Sequence, residues 1–319
     1  MKVVLHALAF SLALPVLAIA QAFPSKPIRI VTGAGPGGGV DTTTRIIAQD
    51  LQAALGQPGV VENRPGAGGS LAGDVVAKAA PDGHTLLTIS ISHSVLPSSH
   101  KNLPYSPERD LVPVTVMVNA PNVLVANPSL PVKSIKELIA LAKKRPGQID
   151  YASSGNASPS HLATEYLALL TNTKFTHIPY KGTGPGITDV IAGRVSLMFA
   201  SIISTRQHVQ AGKLRVLATA GARRAAAAPD IPTIAESGVP GYAVDVWYAM
   251  LAPSATPRPV MERLNGAVTK ILHSPDVAKK LARIGLEPVA EDLAKSDAYV
   301  KSEIRKWAKV VKAANITAN

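Results

Sequence analysis

The stretch from Ile28 to Asp41 constrains this chain more than any other. Ile28 to Thr32 is β-branched but for Arg29 and reads as a short strand. Glycines follow at 33, 35, 37, 38 and 39, and an apolar-periodic helix then runs through Ile46, Ile47 and Leu51. A strand that enters a helix through glycines presents unpaired helix N–H groups at a turn a ligand can approach closely. Such a turn suits an anion.

The first 22 residues are set aside from the fold. Lys2 precedes an apolar run from Val3 to Ala20, Pro15 interrupts it, and small residues at 18, 20 and 22 offer cleavage sites. This pattern predicts a secretory signal peptide over residues 1–22 and an exported mature protein. The chain has no cysteine, which excludes disulfides and thiol catalysis. Its formal charge of +12 falls by one, to +11, once Lys2 is removed. Positive charge steers anionic ligands. The Lys and Arg residues are scattered and aromatic residues make up only 4% of the chain, so neither a basic stripe nor stacking platforms point to nucleic acid.

The rest of the chain repeats the first pattern. Gly59–Asn63 reads as a strand, Arg64–Gly69 as a loop, Ser70 as the cap of a helix reaching about Ala79, and His84–Ser90 as a strand. Alternating strand and helix predicts an α/β fold with parallel strands covered by helices. Two β-branched segments between Leu111 and Ala126 are split at Asn119–Asn122, where a crossing between domains is placed. Ser134 and Glu137 have capping-box spacing. Strands are then predicted over Ile149–Ala152, Phe175–Pro179, Val195–Phe199 and Leu214–Ala218. Pro159 opens a helix, and another starts near Ile187 after the turn Tyr180–Gly186. A second crossing falls near 240, and Tyr242–Ala252 reads as a strand. The last helix carries Val300, Ile304, Trp307 and Val311 on one face, expected to dock on the first domain. The predicted domains are 23–122 with 243–319, and 123–242.

Three functions compete for the glycine turn. Gly33-Ala-Gly35-Pro-Gly37-Gly38 fits a dinucleotide fingerprint, with Glu62 near the position of a ribose-binding acid. An exported NAD(P)-dependent oxidoreductase is the resulting alternative. Against it, Pro36 stiffens the turn and Asp41 sets a carboxylate beside the would-be pyrophosphate. Hydrolase chemistry lacks a Gly-x-Ser-x-Gly elbow around Ser153, Ser154 or Ser158, and no histidines or carboxylates have metal-ligand spacing. The third function is binding. Four strand-to-helix turns, at 33–39, 153–158, 180–186 and 200–201, are rich in small polar residues. In open α/β sheets such turns gather at the carboxyl ends of the strands, where ligands bind.

The motifs themselves resemble a known family. They are Phe23–Arg29, Pro36–Asp41, Val61–Gly69, Ala80–Leu87, Tyr151–Asn156 with His161, Pro179–Gly182, Leu197–Phe199 and Leu251–Pro253. In this order they resemble the periplasmic receptors of tripartite tricarboxylate transporters, the Bug-type extracytoplasmic solute receptors. The resemblance implies a type II periplasmic binding protein fold, two α/β domains with a ligand cleft between them. It implies a small carboxylate ligand such as citrate, a dicarboxylate, an acidic amino acid or an aromatic acid. It implies a membrane transporter, or a sensor protein, as partner, and no cofactor, metal or catalysis. A monomer is expected. The candidate ligand-binding residues are Gly35, Gly37, Gly38, Gly39, Asp41, Ser90, Ser92, Ser153, Ser154, Gly155, Asn156, His161, Lys181, Gly182 and Ser201. N–H groups at Gly37–Gly39 and Gly182–Gly186 are expected to hold carboxylate oxygens. Two departures from the family stand out: Gly33-Ala34-Gly35 where many relatives carry Pro-Phe-Ala, and Ala200-Ser201 where they often carry Asp-Asn. Both make the pocket walls smaller, and Ala200 offers no acceptor for a ligand ammonium.

Overall fold

A computed structural model describes residues 23–100 and 102–316. The predicted signal segment, residues 1–22, lies outside the described residues. Among those described, no helix is long and apolar enough to cross a membrane.

The chain opens with β1 (Ile28–Thr32), α1 (Gly39–Leu55), β2 (Gly59–Asn63), α2 (Ser70–Ala77) and β3 (Thr85–Ser90). β1 pairs in parallel with both β2 and β3, so the local order is β2-β1-β3. Ile28, Ile30 and Val31 of β1 and Ile47 and Leu51 of α1 are all buried in one apolar core, with Ile30 and Val31 on opposite faces of the sheet. A 3-10 turn (Ile91–Val95) and the short α3 (Leu96–Ser99) follow, then β4 (Leu111–Asn119). β4 shares this sheet with β10 (Trp247–Pro253) and β11 (Glu287–Pro288), which are far later in sequence.

The second sheet is built from the middle of the chain. Its strands are β5 (Asn122–Ala126), β6 (Asp150–Ser153), β7 (Thr176–Pro179), β8 (Leu197–Ser201) and β9 (Arg215–Thr219), in the order β7-β6-β8-β5-β9. Helices α4 (Ile135–Lys144), α5 (Pro159–Thr171), α6 (Thr183–Ile191) and α7 (Ile202–Gln210) connect them. β6 is parallel to β7 and to β8, so β7-β6-β8 repeats the arrangement β2-β1-β3. Among the described residues two chain segments join the sheets: Ala120–Pro121, and the stretch from Ala220 to Val246. They lie side by side, with Ala120 N–H donating to Val246 O and Val244 N–H donating to Ala220 O.

Four elements differ from the sequence reading. Ser70 does not cap α2. Gly69, at φ 92°, takes the cap position and Ser70 lies buried in the first turn. α6 begins at Thr183 rather than near Ile187, because Gly182 supplies the cap and Pro185 is tolerated in a first turn, where no intrahelical N–H is required. Tyr242–Val246 is not strand, since its backbone is committed to the crossing and β10 starts at Trp247. Lastly, the C-terminal helix α10 (Leu293–Ala314) packs against β4, α3 and the 91–95 turn, but also against α5 of the other lobe. Its 22 residues span ~33 Å, enough to bridge both lobes. Helices α8 (Arg258–Leu272) and α9 (Pro275–Arg283) complete the first lobe.

Candidate functional site

Each sheet reverses its strand order once beside a central parallel strand, between β1 and β3 in one lobe and between β6 and β8 in the other. The chain leaves such a pair of strands in opposite directions and opens a crevice at their carboxyl ends. In the first lobe the crevice is a cavity of about 210 Å³ walled by Gly33 and Ala34 after β1, Gly66, Gly68 and Gly69 after β2, and Ser90 and Ser92 after β3. A second cavity of about 370 Å³ carries the first lobe across to the second. Ala67, Gly68, Ser92, Leu96, Ser99 and His100 face Asn156, Ala157, Ser158 and Pro159. Ser92 and Gly68 line both cavities.

Two of the larger hollows lie away from the carboxyl ends of the parallel strands β1, β3, β6 and β8. One of about 570 Å³ sits beside the crossing segments, near Asn119, Pro121 and Asp245. Its charged rim is partly self-neutralised, since Lys295 pairs with Glu291 and Asp292, and Arg224 with Glu236. The other is an open groove of about 700 Å³ between α5 and α10. The switch-point cavities are the better candidate because they alone gather helix-opening turns from both lobes.

The candidate residues divide by what already holds them. Gly35, Gly37, Gly38 and Gly39 are exposed. Gly37 N–H donates to Asp41 Oδ2 (2.9 Å) and Gly38 N–H to Gly35 O (3.2 Å), so of the three expected donors only Gly39 opens the helix with its N–H free of the turn. A Cβ on Gly39 would meet the Tyr248 hydroxyl, so a larger residue there requires Tyr248 to shift. Asp41 is buried and occupied. It accepts from Gly37, Arg45 (3.0 Å) and Asn63 (2.7 Å). Burial pushes its pKa up, but these donors outweigh it and hold the carboxyl below its ordinary value. Asp41 thereby shapes the glycine turn.

In the second lobe, Ser153 is fully buried, with Oγ 2.6 Å from His177 Nε2 and accepting from Gly155 N–H. His161 is buried too, and its Nδ1 accepts from Ala157 N–H. Ser154 is half-buried beside Ser160, Gly155 sits at φ 132°, and Asn156 is exposed on the cavity wall. Lys181 is exposed, and Gly182 N–H donates to Ser154 O, which ties the α6 turn to the 153–158 turn. Ser201 caps α7 by accepting from Ser204 N–H. Ser90 and Ser92 are half-buried on the first-lobe wall.

Several wall residues escaped the sequence reading: Gly66–Gly69, Leu96, Ser99, His100 and Pro159, while Ala157 and Ser158 fall in the predicted 153–158 turn without having been named as contacts. The signal was present in Arg-Pro-Gly-Ala-Gly-Gly, a second glycine turn at the carboxyl end of a parallel strand. Glu62, the would-be ribose acid, is clamped by Arg29 and Arg64, whose hydrogen bonds lower its pKa to about 2. It is not free for a sugar hydroxyl. Among the described residues no cluster of three or more metal-ligating side chains occurs.

Three histidines near these walls are held neutral. Burial lowers His93 to about 4, burial and the neighbouring His177 lower His161 to about 3, and burial lowers His177. The unfolded chain protonates them near pH 6.5, so it binds more protons than the folded chain below that pH. Their contribution is complete above about pH 6.5 and declines as pH falls towards 3–4. Melting curves should therefore be flat between pH 7 and 8 and lose on the order of 1–2 kcal/mol per fully buried histidine by pH 5. A rising melting temperature on acidification would contradict this assignment.

Sequence and structure comparisons agree with this geometry. The profile of the family described as tripartite tricarboxylate transporter family receptor matches residues 43–316. The chain is 37% identical to protein BugT of Bordetella pertussis over 299 residues, covering 92% of this chain and 90% of that one. Its fold superposes on the structure of R. palustris Rpa4515 with adipate at a TM-score of 0.77, with 35% identity, covering 92% of this chain and 99% of that one. It superposes on MatC from Rhodopseudomonas palustris with bound malate at 0.74, with 32% identity, covering 91% of this chain and all of that one. The two-lobe fold, its paired switch points and a match over most of its length make one conclusion: this chain belongs to the receptor family of the tripartite tricarboxylate transporters.

Proposed function

We propose that this protein is a periplasmic solute receptor that captures a small dicarboxylate between its lobes and delivers it to the membrane components of a tripartite tricarboxylate-type transporter. The carrying observation is that the two strand-order switch points meet across one cavity, with Ser92 and Gly68 on one side and Asn156 on the other. The lobes are taken as 23–122 with 243–319, and 123–242. The adipate and malate held by the two related structures support a diacid. Carboxylate oxygens are received by N–H groups opening α1 from Gly39 and α6 from Thr183, with hydroxyls of Ser90, Ser92, Ser154 and Ser201, the Asn156 amide and the exposed Lys181. Asp41, Ser153 and His161 shape these turns from beneath. The protein acts as a monomer and performs no turnover. A transporter, rather than a sensor protein, is its partner.

The ligand carries no ammonium group. Ala200 is buried in the second-lobe core and Asp41 is already matched by three donors. An ammonium buried there without an acceptor would be costly. The test is a thermal-shift titration. Malate and adipate should raise the melting temperature, by the equivalent of about 2.7 kcal/mol at 100 times Kd, because only the folded state binds them. Aspartate and glutamate should not. Larger shifts from the amino acids would sink this reading and assign Asp41 to the ammonium.

A further inference from the structure

Beneath the 153–158 turn lies a stack of aromatic rings. His161 and His177 overlap with centroids 3.9 Å apart and planes 19° apart, and Tyr151 stacks on His177 at 4.9 Å. Each histidine holds one end of the turn. His177 Nε2 lies 2.6 Å from Ser153 Oγ. His161 Nδ1 accepts from the N–H of Ala157 at 3.1 Å. Ala157 has φ 55°, the left-handed region that disfavours any residue with a Cβ. Both Ala157 and its neighbour Asn156 line the inter-lobe cavity. A strained residue at a cavity wall is retained only where its surroundings over-determine it.

That hydrogen bond sets the state of the ring. Nδ1 can accept only if it is unprotonated, so His161 is the neutral tautomer with its proton on Nε2. Nε2 points towards Glu165 Oε1 at 4.0 Å, and the same oxygen accepts from the Tyr151 hydroxyl at 2.6 Å. A second proton would set a donor against the Ala157 N–H and a cation against the His177 ring.

We propose that His161 is a positioning residue of the binding cleft, which fixes left-handed Ala157 through its unprotonated Nδ1 and thereby aims Asn156 at the ligand without touching it. This rests on the cleft being the ligand site. His161 acts as a permanent acceptor at neutral pH, and its role is separable from its bulk. An Asn side chain can place an acceptor oxygen where Nδ1 stands, whereas Leu cannot. Glycine at 157 removes the strain that the hydrogen bond restrains.

The experiment uses the full mature chain with adipate as probe. Histidine ¹⁵N spectra of the ligand-free protein should show His161 protonated at Nε2 only. His161→Leu should accelerate amide exchange at Ala157 and weaken adipate about tenfold. His161→Asn should stay within about threefold of the parent. Adding Ala157→Gly to His161→Leu should recover at least half of the lost affinity on a logarithmic scale. A merely structural role predicts no such rescue. An Nδ1–H tautomer would overturn the proposal, as would Leu and Asn variants that weaken adipate equally or an Ala157 amide unchanged in His161→Leu. Failure of the parent to bind adipate or malate would contradict the cleft reading instead, while the tautomer and Ala157 exchange would still decide the role of His161. Should His161→Leu not fold, His161→Asn decides it: preserved protection of the Ala157 amide with adipate affinity within about threefold of the parent supports the proposal, and lost protection overturns it.

Discussion

A Ser92→Trp variant loses diacid binding by about 100-fold or more, a change of ~2.7 kcal/mol, while it melts within a few degrees of the parent. Ser92 is the first-lobe residue beyond the glycine loop that borders both switch-point cavities. It is half-buried, in the 3-10 turn that continues β3, and makes no side-chain hydrogen bond to another described residue. An indole there reaches into space of about 210 and 370 Å³ rather than into packed core, so it fills the cleft without straining the sheet. Calorimetric titration with adipate and malate, paired with a melting curve, reads both halves of the prediction. Undiminished binding by a folded variant would place the ligand elsewhere.

Glu303→Ala destabilises the protein by about 3 kcal/mol. Trp247 opens β10 immediately after the second crossing, Trp307 lies one turn beyond Glu303 on α10, and both indoles are fully buried. Each donates Nε1–H to Glu303 Oε2 at 3.0 Å. Lys306 pairs with the other oxygen and donates to Ala243 O in the crossing segment. Removing the carboxylate leaves two buried indole donors unpaired, and a buried donor without an acceptor costs about 1–3 kcal/mol. Glu303→Gln retains an oxygen for both indoles and forfeits only the ion pair, so it should lose less than half as much. Urea titrations of the two variants decide this. Equal losses would mean that the charge, not the acceptor oxygen, anchors α10 to the crossing.

Much of the fold was readable because its signals are local. β1 and β2 fall at their predicted bounds, since β-branched runs and the glycine turns that end them lie within a dozen residues. The Ser134 cap accepts from Glu137 N–H as its spacing implied, although the Glu137 carboxylate reaches back to Lys133 N–H rather than to Ser134. Where the reading failed, the deciding contact was distant in sequence. Tyr242–Val246 has strand composition, but Tyr242 N–H donates to Val239 O, Val244 N–H to Ala220 O, and Val246 O accepts from Ala120 N–H. Asp41 reads from sequence as a helix-start carboxylate, but its partner Asn63, 22 residues on, is visible only in the fold. Ser153 and His161, both expected at the ligand, have in the fold a further neighbour, His177, 16 or more residues away, that the sequence alone does not bring to them. The glycine loop at 66–69 was visible as a motif, yet its place on the cavity wall depends on the parallel pairing of β1 with both β2 and β3.

On the proposed function, turns from both lobes hold a dianion between them by its charge. Isothermal titration of the mature protein with adipate and, separately, with its uncharged diamide tests it most directly. The two have the same length and shape and differ in charge. Adipate should give a saturable heat with one site per chain, and the diamide none at the same concentrations. Equal binding of the diamide, or no heat from adipate and malate alike, would contradict it.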